Sequence, residues 1–461
     1  MARRLLVLID GEHYLPVIEA ALSDLRSRGD EVVGLALLGG VEKLPAGGLD
    51  SGTMSAPLVS GTSPADALTK AIAQFKPDAV FDLSDQPVLD PRLRMELAGR
   101  SLAMGIPYEG TDFSFTPLRR DEISTRPSIA VIGTGKRTGK TSICGAIARS
   151  LAARGFRPLI VAMGRGGPVE PEVIRPHRDG PLTPESLIDL ADDGRHAASD
   201  HIEDAVLAGV TTIGTRRCGG GLAGAPGPST FSAGVEVAGV EADAEGHDIF
   251  LFEGSGSAIP PVKSDVTVLV VPASIRSEEL AGYMGPFRVL LADYVIIVEP
   301  GDTDARAGDA EALVSQVNSS AEVHYVTLEP FPTGDVRGKK VAIATTAPLG
   351  AIESVESHLR LSYGADIVAS TTSLSDRAQL AVELPALIAN ADVVATEVKA
   401  AGIDVVARAA RDAGAEIVFI DNQPRLKNSK LTFADLAGRL GELAIERFEK
   451  RMHPIQRQSE R

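Results

Sequence analysis

The sequence predicts an α/β protein with a large parallel-sheet core domain, preceded by a smaller Rossmann-like α/β domain. Short apolar segments alternate with helical patterns along the chain, and such alternation favours parallel strands covered by helices on both faces. An aperiodic polar stretch at residues 116–128 separates two such series. The length of 461 residues also exceeds one ordinary hydrophobic core, so we expect more than one domain.

The first series predicts an N-terminal, substrate-associated domain over residues 1–120. The segments RLLVLID, EVVGLALLGG, DAVFDLSD and IPYEG predict strands. Helical patterns lie between them, of which one ends at Gly29 and another is capped by Ser63. The apolar run near the N-terminus is interrupted by Asp10 and Glu12, which argues against a signal peptide.

The second series predicts a core over residues 128–450, followed by a polar tail at 451–461. It opens with the strands SIAVIG and RPLIVAMG and continues through DIFLFEG, DVTVLVVP and further apolar segments. Between them lie helical patterns around 184–193 and 200–208, and a glycine-rich segment at 215–230 whose length is typical of a functional loop. No segment approaches the roughly 20 apolar residues of a membrane span, so we expect a cytoplasmic protein.

Charge and cysteine content restrict the classes of function. A formal net charge of −16 argues against a broad nucleic-acid-binding face, although a pocket can still be locally basic. The two cysteines, Cys144 and Cys218, exclude a disulfide framework and a four-cysteine metal site. We therefore expect a small polyanionic substrate as partner, with no nucleic acid and no membrane. A homodimer is one assembly that the sequence leaves open.

The segment AVIGTGKRTGKTSICG carries the clearest chemical signal. A strand leads into a glycine-rich turn and a helix opens at Lys140, so the core is predicted to be of the P-loop NTPase type. Backbone N–H groups of such a turn, together with the helix dipole, hold phosphate oxygens. Lys140 would neutralise phosphate charge on ATP, and the Thr141 hydroxyl would bind Mg²⁺. The predicted nucleotide contacts are Gly133, Thr134, Gly135, Thr138, Gly139, Lys140, Thr141 and Ser142.

This loop is one residue longer than the usual pattern. Five residues, rather than four, separate Gly133 from Gly139. The form resembles the loop of the dethiobiotin synthetase group, ATP-dependent enzymes that activate an acid as a phosphorylated intermediate. Lys136 and Arg137 add cations inside the loop that can stabilise a transferring phosphoryl group or bind an anionic acceptor. With Lys140 they are the predicted catalytic residues, and the alternative for the pair is a solvated surface role.

A second candidate site is FEGSGSAIPPVK, residues 252–263. Glu253 ends a predicted strand before a Gly-Ser-Gly turn, and carboxylates at this place in P-loop folds reach Mg²⁺ or its waters. Thr141 and Glu253 are therefore the predicted metal ligands, with a strand-end acid in a turn as the alternative for Glu253. Lys263, ten residues further on, is a candidate substrate contact, and a surface lysine fits it equally well.

Arginines are concentrated in two glycine-rich loops of this acidic chain. The segment AMGRGGPVEPEVIRPHR contains Arg165, and TRRCGGG contains Arg216 and Arg217. Guanidinium groups match phosphate oxygens bidentately, so these three are predicted substrate contacts, with a surface role as the alternative for each. His13, just after the first strand, is a further candidate that can donate to an anion or cap the following helix.

Taken together, these segments resemble one family. VIGTGKRTGKTSICG, VAMGRGGPVEPEVI, FEGSGSAIPPV and DGEHYLPV are similar to segments of the cyclic 2,3-diphosphoglycerate synthetase family, and the resemblance covers essentially the whole chain. It implies a ligase that uses ATP and Mg²⁺ to close 2,3-diphosphoglycerate into a ring through an intramolecular phosphoanhydride, with release of ADP and phosphate. It also implies that residues 133–141 are the ATP loop, that Glu253 lies on the metal side, and that the first domain helps to enclose the acceptor.

Two alternatives stay open. One is an ATP-dependent acid-activating ligase or kinase of the dethiobiotin synthetase type that acts on another small acid. The other is not an enzyme but a nucleotide-driven switch, such as a partitioning or metal-insertion ATPase. Those proteins commonly place a signature lysine one position before Lys136, and metal chaperones carry cysteine or histidine clusters that this sequence lacks.

Overall fold

The computed structural model describes residues 2–40, 42–44, 54–180, 182–299 and 307–453. These residues form a six-stranded sheet near the N-terminus and a twelve-stranded sheet in the remainder of the chain. Most of the predicted polar tail, residues 454–461, lies outside the described residues. None of the described helices is both long and apolar enough to cross a membrane.

The smaller sheet belongs to the N-terminal unit. Its strands are β1 (Arg4–Ile9), β2 (Glu31–Leu37), β3 (Leu58–Ser60), β4 (Ala79–Asp82), β5 (Tyr108–Glu109) and β6 (Ser114–Phe115), and its helices are α1 (Leu15–Ser27), α2 (Pro64–Phe75) and α3 (Pro91–Ala103). The strand order β3-β2-β1-β4-β5-β6 follows the Rossmann order, and all neighbours pair parallel except β5 and β6. The Ser63 side chain caps α2 by accepting a hydrogen bond from the backbone N–H of Asp66.

The larger sheet begins after residues 116–127, which contain neither helix nor strand. Its strands are β7 (Ser128–Gly133), β8 (Pro158–Gly164), β9 (Glu172–Ile174), β10 (Thr211–Arg216), β11 (Ile249–Glu253), β12 (Val266–Pro272), β13 (Tyr294–Glu299), β14 (Glu322–Pro332), β15 (Lys340–Ala344), β16 (Asp366–Thr371), β17 (Val393–Thr396) and β18 (Glu416–Leu426). Their order is β16-β15-β17-β18-β14-β13-β12-β7-β11-β8-β10-β9. The confirmed fold class is thus α/β, with a large P-loop core preceded by a smaller Rossmann-like unit.

Helices cover both faces of this sheet. They are α4 (Lys140–Ala153), α5 (Pro176–Asp179), α6 (Pro184–Asp192), α7 (Asp200–Ala208), α8 (Phe231–Glu245), α9 (Ser277–Leu280), α10 (Gly285–Leu291), α11 (Ala307–Val317), α12 (Ile352–Tyr363), α13 (Arg377–Ile388), α14 (Arg408–Asp412) and α15 (Phe433–Met452), with 3₁₀ turns at Leu349–Ala351 and Ser373–Ser375 and a π-helix at Gly402–Ala407. The core strand β7 is buried at every residue, as expected for a parallel strand covered on both sides.

The twelve strands divide into two parallel blocks of opposite direction. The P-loop block contains β14, β13, β12, β7, β11, β8 and β10, which run parallel to one another, with β9 antiparallel at its edge. The C-terminal block contains β18, β17, β15 and β16, also mutually parallel. The blocks join where β14 pairs antiparallel with β18, so the strands of one block run in the direction opposite to those of the other.

Strand register shows that these carboxyl edges face each other. On the P-loop side, β13 last pairs with β14 at Thr327. On the other side, β17 ends beside Phe419, one residue beyond the Pro332–Ile420 pair that closes the β14–β18 ladder. The two edges are therefore about six residues of β14 apart, or roughly 20 Å at ~3.3 Å per residue. Loops that follow the strands of both blocks consequently enter one shared space, and parallel sheets bind ligands at this edge.

Candidate active site

Four adjacent strands deliver the candidate loops to one edge of the P-loop block. The central strand β7 leads into the phosphate loop, its neighbour β11 into the Gly-Ser-Gly turn, and the next strands β8 and β10 into the two arginine loops. The sequence analysis did not predict β10 as a strand, because its short segment TTIGTR merges into the glycine-rich loop. The strand places Arg216 and Arg217 at the same edge as the phosphate loop.

The phosphate loop is shaped around one buried lysine. A Cβ at Gly133 would lie 2.8 Å from both Lys140 Cδ and Thr138 Oγ1, so a side chain there would displace the lysine. Gly139 precedes α4 with a φ of +89°, which glycine adopts without strain. Lys140 Nζ donates to the carbonyl oxygen of Gly135 at 2.8 Å, and burial lowers the pKa of this lysine. The ammonium group is therefore held inside the loop.

Glu253 lies directly beside the start of α4. It ends β11, is only 3% exposed, and its Oε1 accepts a hydrogen bond from Thr141 Oγ1 at 2.7 Å. Among the described residues, its Oε2 has no hydrogen-bond partner, and neither has either carboxylate oxygen of the buried Asp204. Burial and then the charge of Asp200 raise the pKa of Glu253 to about 7, while burial and the charge of Glu253 raise the pKa of Asp204 well above its usual range.

These oxygens fit a divalent cation that also contacts a nucleotide. Buried carboxylate oxygens without partners are costly unless a cation or proton compensates them. A hydroxyl and carboxylates form the all-oxygen donor set that Mg²⁺ prefers, and Mg²⁺ usually takes one or two protein ligands and completes its shell with phosphate oxygens and water. Within the described ranges, no group of three or more His, Cys, Asp and Glu side chains could hold a metal ion by itself. Thr141 and Glu253 would hold Mg²⁺ only together with ATP and water.

Helix α7 contributes an acidic face that the sequence analysis did not select. Asp200, Glu203 and Asp204 lie at positions i, i+3 and i+4, which share one side of a helix. Asp200 and Glu203 line the same cavity as Glu253, and burial raises the pKa of both. The i, i+3, i+4 spacing within a predicted helix was the available signal. That spacing alone does not show that the acidic face is turned towards the phosphate loop.

Lys399 is a second functional candidate that sequence reasoning missed. It follows β17 in the C-terminal block, and its Nζ lies 2.6 and 2.7 Å from the two carboxylate oxygens of Glu203. It also lines the cavity that the phosphate loop forms. Its place shortly after a strand end was the only sequence signal, and many lysines share it.

Arg165 and Arg217 converge on the Gly-Ser-Gly turn. Arg217 Nη2 donates to the carbonyl oxygen of Ser255 at 2.8 Å. A Cβ at Gly256 would lie 3.3 Å from Arg217 Nη2 and 3.8 Å from Arg165 Nη2, so both guanidinium groups reach this turn. Burial and then the charge of Arg165 lower the pKa of Arg217, as expected for two like charges that share a region. An anion between them would relieve that repulsion.

Two adjoining cavities result from this arrangement. The first, about 600 Å³, is lined by the phosphate loop, Glu253, α7 and residues of the C-terminal block. The second, about 610 Å³, is lined by Arg165, Arg216, Arg217 and His196. Arg165 and His196 line both cavities, so the two spaces meet at the first arginine loop. The structure thus brings the predicted nucleotide contacts and the three predicted substrate arginines together.

Lys136 and Arg137 project from the phosphate loop into the first cavity. Both are exposed, and their side chains make no hydrogen bond or ion pair with any other described residue. Arg137 has a φ of 58°, a left-handed conformation that is uncommon outside glycine. The additional residue of the loop therefore presents two uncompensated cations to the cavity.

Two predicted substrate residues lie elsewhere. Lys263 forms an ion pair with Glu122 and lines a separate cavity of about 440 Å³ at the amino-terminal edge of the sheet. Ten residues beyond Glu253, the chain has already crossed to the start of β12, and sequence distance alone cannot show that crossing. His13 lies in the N-terminal unit, where its Nδ1 is 2.7 Å from Oδ1 of the buried Asp10, and it does not line either active-site cavity.

A strand, a glycine-rich loop and a helix that opens with a buried lysine are the features of the P-loop class of nucleotide-binding proteins. Models of the cyclic 2,3-diphosphoglycerate synthetase family match three consecutive parts of the chain: the N-terminal domain over residues 4–116, the P-loop domain over 128–327 and the C-terminal domain over 332–423. The chain belongs to this family, which confirms both the resemblance seen in the sequence and the prediction of an enzyme.

Relatives with the printed name cyclic 2,3-diphosphoglycerate synthetase match almost the whole chain. The protein from Rubrobacter xylanophilus is 41% identical, over 95% of this chain and 98% of its own length. Those from Methanothermus fervidus and Thermococcus kodakarensis are each 39% identical, over 92% and 91% of this chain and 93% and 94% of their own lengths. Among solved structures, LpxK from Aquifex aeolicus in complex with ATP aligns over 72% of this chain and 91% of its own, at 12% identity and a TM-score of 0.39.

Proposed function

We propose that this chain closes 2,3-diphosphoglycerate into cyclic 2,3-diphosphoglycerate with ATP and Mg²⁺, forming an intramolecular phosphoanhydride and releasing ADP and phosphate. The observation that carries the proposal is the junction of two cavities, one built on a phosphate loop and the other on three arginines. The printed names of the relatives support 2,3-diphosphoglycerate as the acceptor, because these relatives match this chain over more than nine-tenths of its length.

The first cavity is suited to the phosphates of ATP. The phosphate loop offers backbone N–H groups at the start of α4, and Lys140 lies buried within it. Thr141 and Glu253 lie next to each other on the same side and would hold Mg²⁺. When bound there, Mg²⁺ would offset charge on the β- and γ-phosphates and orient them for transfer.

The second cavity is suited to a small polyanion. Arg165 and Arg217 approach the same turn, and neither forms an ion pair with a carboxylate among the described residues. Arg216 lies on the wall of the same space. Guanidinium pairs bind phosphate oxygens with two parallel hydrogen bonds, and 2,3-diphosphoglycerate carries two phosphates and a carboxylate. Lys136 and Arg137, on the phosphate loop, line the adjoining first cavity.

The reaction requires two phosphoryl transfers. In the first, an oxygen of one substrate phosphate forms a bond to the γ-phosphorus of ATP, and the bond to the β-phosphate oxygen breaks to leave ADP. In the second, an oxygen of the neighbouring substrate phosphate attacks the phosphorus of the activated one, and inorganic phosphate leaves as the ring closes. The substrate supplies both reacting oxygens, so the chain's task is to position them and to offset their charge.

The test is a ³¹P NMR experiment on the purified protein with ATP, Mg²⁺ and 2,3-diphosphoglycerate. We expect cyclic product, ADP and phosphate to appear in equal amounts. Absence of cyclic product together with absence of substrate-stimulated ADP release would overturn the proposal.

The same assay separates the alternatives. An acid-activating ligase for another substrate would release ADP with a different member of a panel of small carboxylic and phosphorylated acids, and would leave 2,3-diphosphoglycerate unchanged. A nucleotide-driven switch would hydrolyse ATP slowly and without stimulation by any of these acids.

A further inference from the structure

Lys399 links the C-terminal block to the phosphate chemistry of the P-loop block. Its Nζ contacts both carboxylate oxygens of Glu203, at 2.6 and 2.7 Å, and its side chain lines the first cavity together with Lys140 and Glu253. Another basic residue of the C-terminal block that lines this cavity, Arg408, pairs with Asp192 at 2.6 Å.

The turn that carries Lys399 is held firmly. The Glu397 carboxylate accepts hydrogen bonds from Thr345 Oγ1 and from the backbone N–H of Thr346, both at 2.6 Å. A Cβ at Gly402 would lie 2.2 Å from the carbonyl oxygen of Glu397, so the π-helix that follows can approach the turn only with glycine at this position. Lys399 is therefore presented by a rigid element, and π-helical turns are frequent at functional sites.

The surroundings of Glu203 explain why a cation is needed there. Asp200 and Asp204 lie on the same face of α7, and Glu253 lies beside Asp204 at the end of β11. Four carboxylates are thus gathered on one side of the phosphate loop, where the charges of Glu253 and Asp200 act on Lys140. Neighbouring carboxylates repel one another. Without Lys399, the α7 face would carry one more uncompensated negative charge.

Packing fixes α7 between the two blocks. Ile202 on α7 and Ile188 on α6 share a hydrophobic core with Val394 of β17 and Val406 of the π-helix. A change at Lys399 therefore acts on α7 through its ion pair, while this apolar core remains in place.

We propose that Lys399 is a positioning residue for phosphoryl transfer: through Glu203 it sets the charge and orientation of the α7 acidic face, and so tunes how Mg²⁺ is held beside the phosphate loop. This inference rests on the proposed function. It assigns to the C-terminal block a direct part in the chemistry of the P-loop block.

The test compares Lys399→Met, Lys399→Arg, Glu203→Gln and the double variant Lys399→Met/Glu203→Gln. In Lys399→Met the additional negative charge should lower the Mg²⁺ concentration at half-saturation by about threefold or more. It should also reduce kcat by about 10- to 100-fold, as changes around metal ligands typically do. ATP affinity in the absence of Mg²⁺ should stay within about twofold, since Lys399 does not belong to the phosphate loop. A merely structural residue would not lower the Mg²⁺ half-saturation.

The other variants should shift the Mg²⁺ concentration at half-saturation in directions that structural damage would not produce. Glu203→Gln leaves Lys399 unpaired and should raise the Mg²⁺ half-saturation, while the double variant should return it close to the wild-type value. Lys399→Arg should recover most of kcat. Lys339→Met, which breaks the ion pair of Lys339 with Glu416 elsewhere in the C-terminal block, is the matched control and should change neither quantity.

Two results would overturn the inference. One is a Lys399→Met protein whose Mg²⁺ half-saturation and kcat match those of Lys339→Met, and the other is a Glu203→Gln protein whose Mg²⁺ half-saturation does not rise above the wild-type value. Should Lys399→Met not fold, the opposite shift expected of Glu203→Gln still tests the idea. Mg²⁺-dependent binding of a fluorescent ATP analogue reports the coupling without any acceptor, so failure of the proposed function and failure of this inference are separable.

Discussion

Replacing Glu253 by Gln should stabilise the nucleotide-free protein while it impairs catalysis. Gln keeps the size of the side chain, and its carbonyl oxygen can accept the hydrogen bond from Thr141 that Glu253 Oε1 now accepts. Its amide can also face Asp204, whose carboxylate oxygens have no partner among the described residues. Once Glu253 has ionised, its buried charge requires a bound cation as compensation, and the change to Gln removes that charge.

The magnitude follows from the pKa of Glu253, which burial and the charge of Asp200 raise from 4.5 to about 7. Below pH 4.5 the carboxyl group is neutral in both the folded and the unfolded chain, so it contributes nothing. As the pH rises towards 7, the unfolded chain ionises first, and the folded state loses about 3 kcal/mol in total. The advantage of Glu253→Gln over the wild type should therefore grow by about 2 kcal/mol between pH 5 and pH 8.

Urea unfolding followed by circular dichroism, at both pH values, with EDTA and without nucleotide, measures this difference. Glu122→Gln is a suitable control, because the ion pair with Lys263 lowers the pKa of the exposed Glu122 and no gain with pH is expected. An advantage of Glu253→Gln that is equal at both pH values, or smaller at pH 8, would show that ionisation of Glu253 does not destabilise the folded state. In the ³¹P assay the same variant should lose about 10- to 100-fold in turnover, since it lacks the metal-side carboxylate.

Three further predictions concern the cavities. Lys136→Met and Arg137→Met should each reduce cyclisation by at least about tenfold more than they weaken ATP binding, and equal losses in calorimetric and turnover measurements would assign them to nucleotide binding alone. Gly133→Ala should weaken ATP binding by about tenfold or more because its Cβ would collide with the buried lysine of the loop, which equilibrium titration would detect. Arg217→Met should raise the KM for 2,3-diphosphoglycerate about tenfold or more, whereas Lys263→Met, at the opposite edge of the sheet, should leave it unchanged in steady-state kinetics.

Local patterns explain which parts of the site could be predicted. The phosphate loop follows a strand that is a continuous apolar run, and Glu253 ends another such strand directly before a glycine-rich turn. A glycine-rich turn directly after an apolar strand is typical of a phosphate-binding site. Arg165 and Arg217 could be selected because guanidinium groups in glycine-rich loops are chemically specific. Lys263 could not be placed, because nothing in the chain marks where it crosses from one edge of the sheet to the other.

The α/β class, the order of the two units and the phosphate loop can be predicted from local sequence patterns, because they depend on hydrophobic periodicity and on glycine at particular backbone positions. The opposite direction of the C-terminal block is visible only in the folded chain, where its carboxyl edge faces the phosphate loop across about six residues of β14. That reversal brings Lys399 to Glu203. Pairing between strands that lie far apart in sequence decides such contacts, and no local pattern encodes which strands will be neighbours.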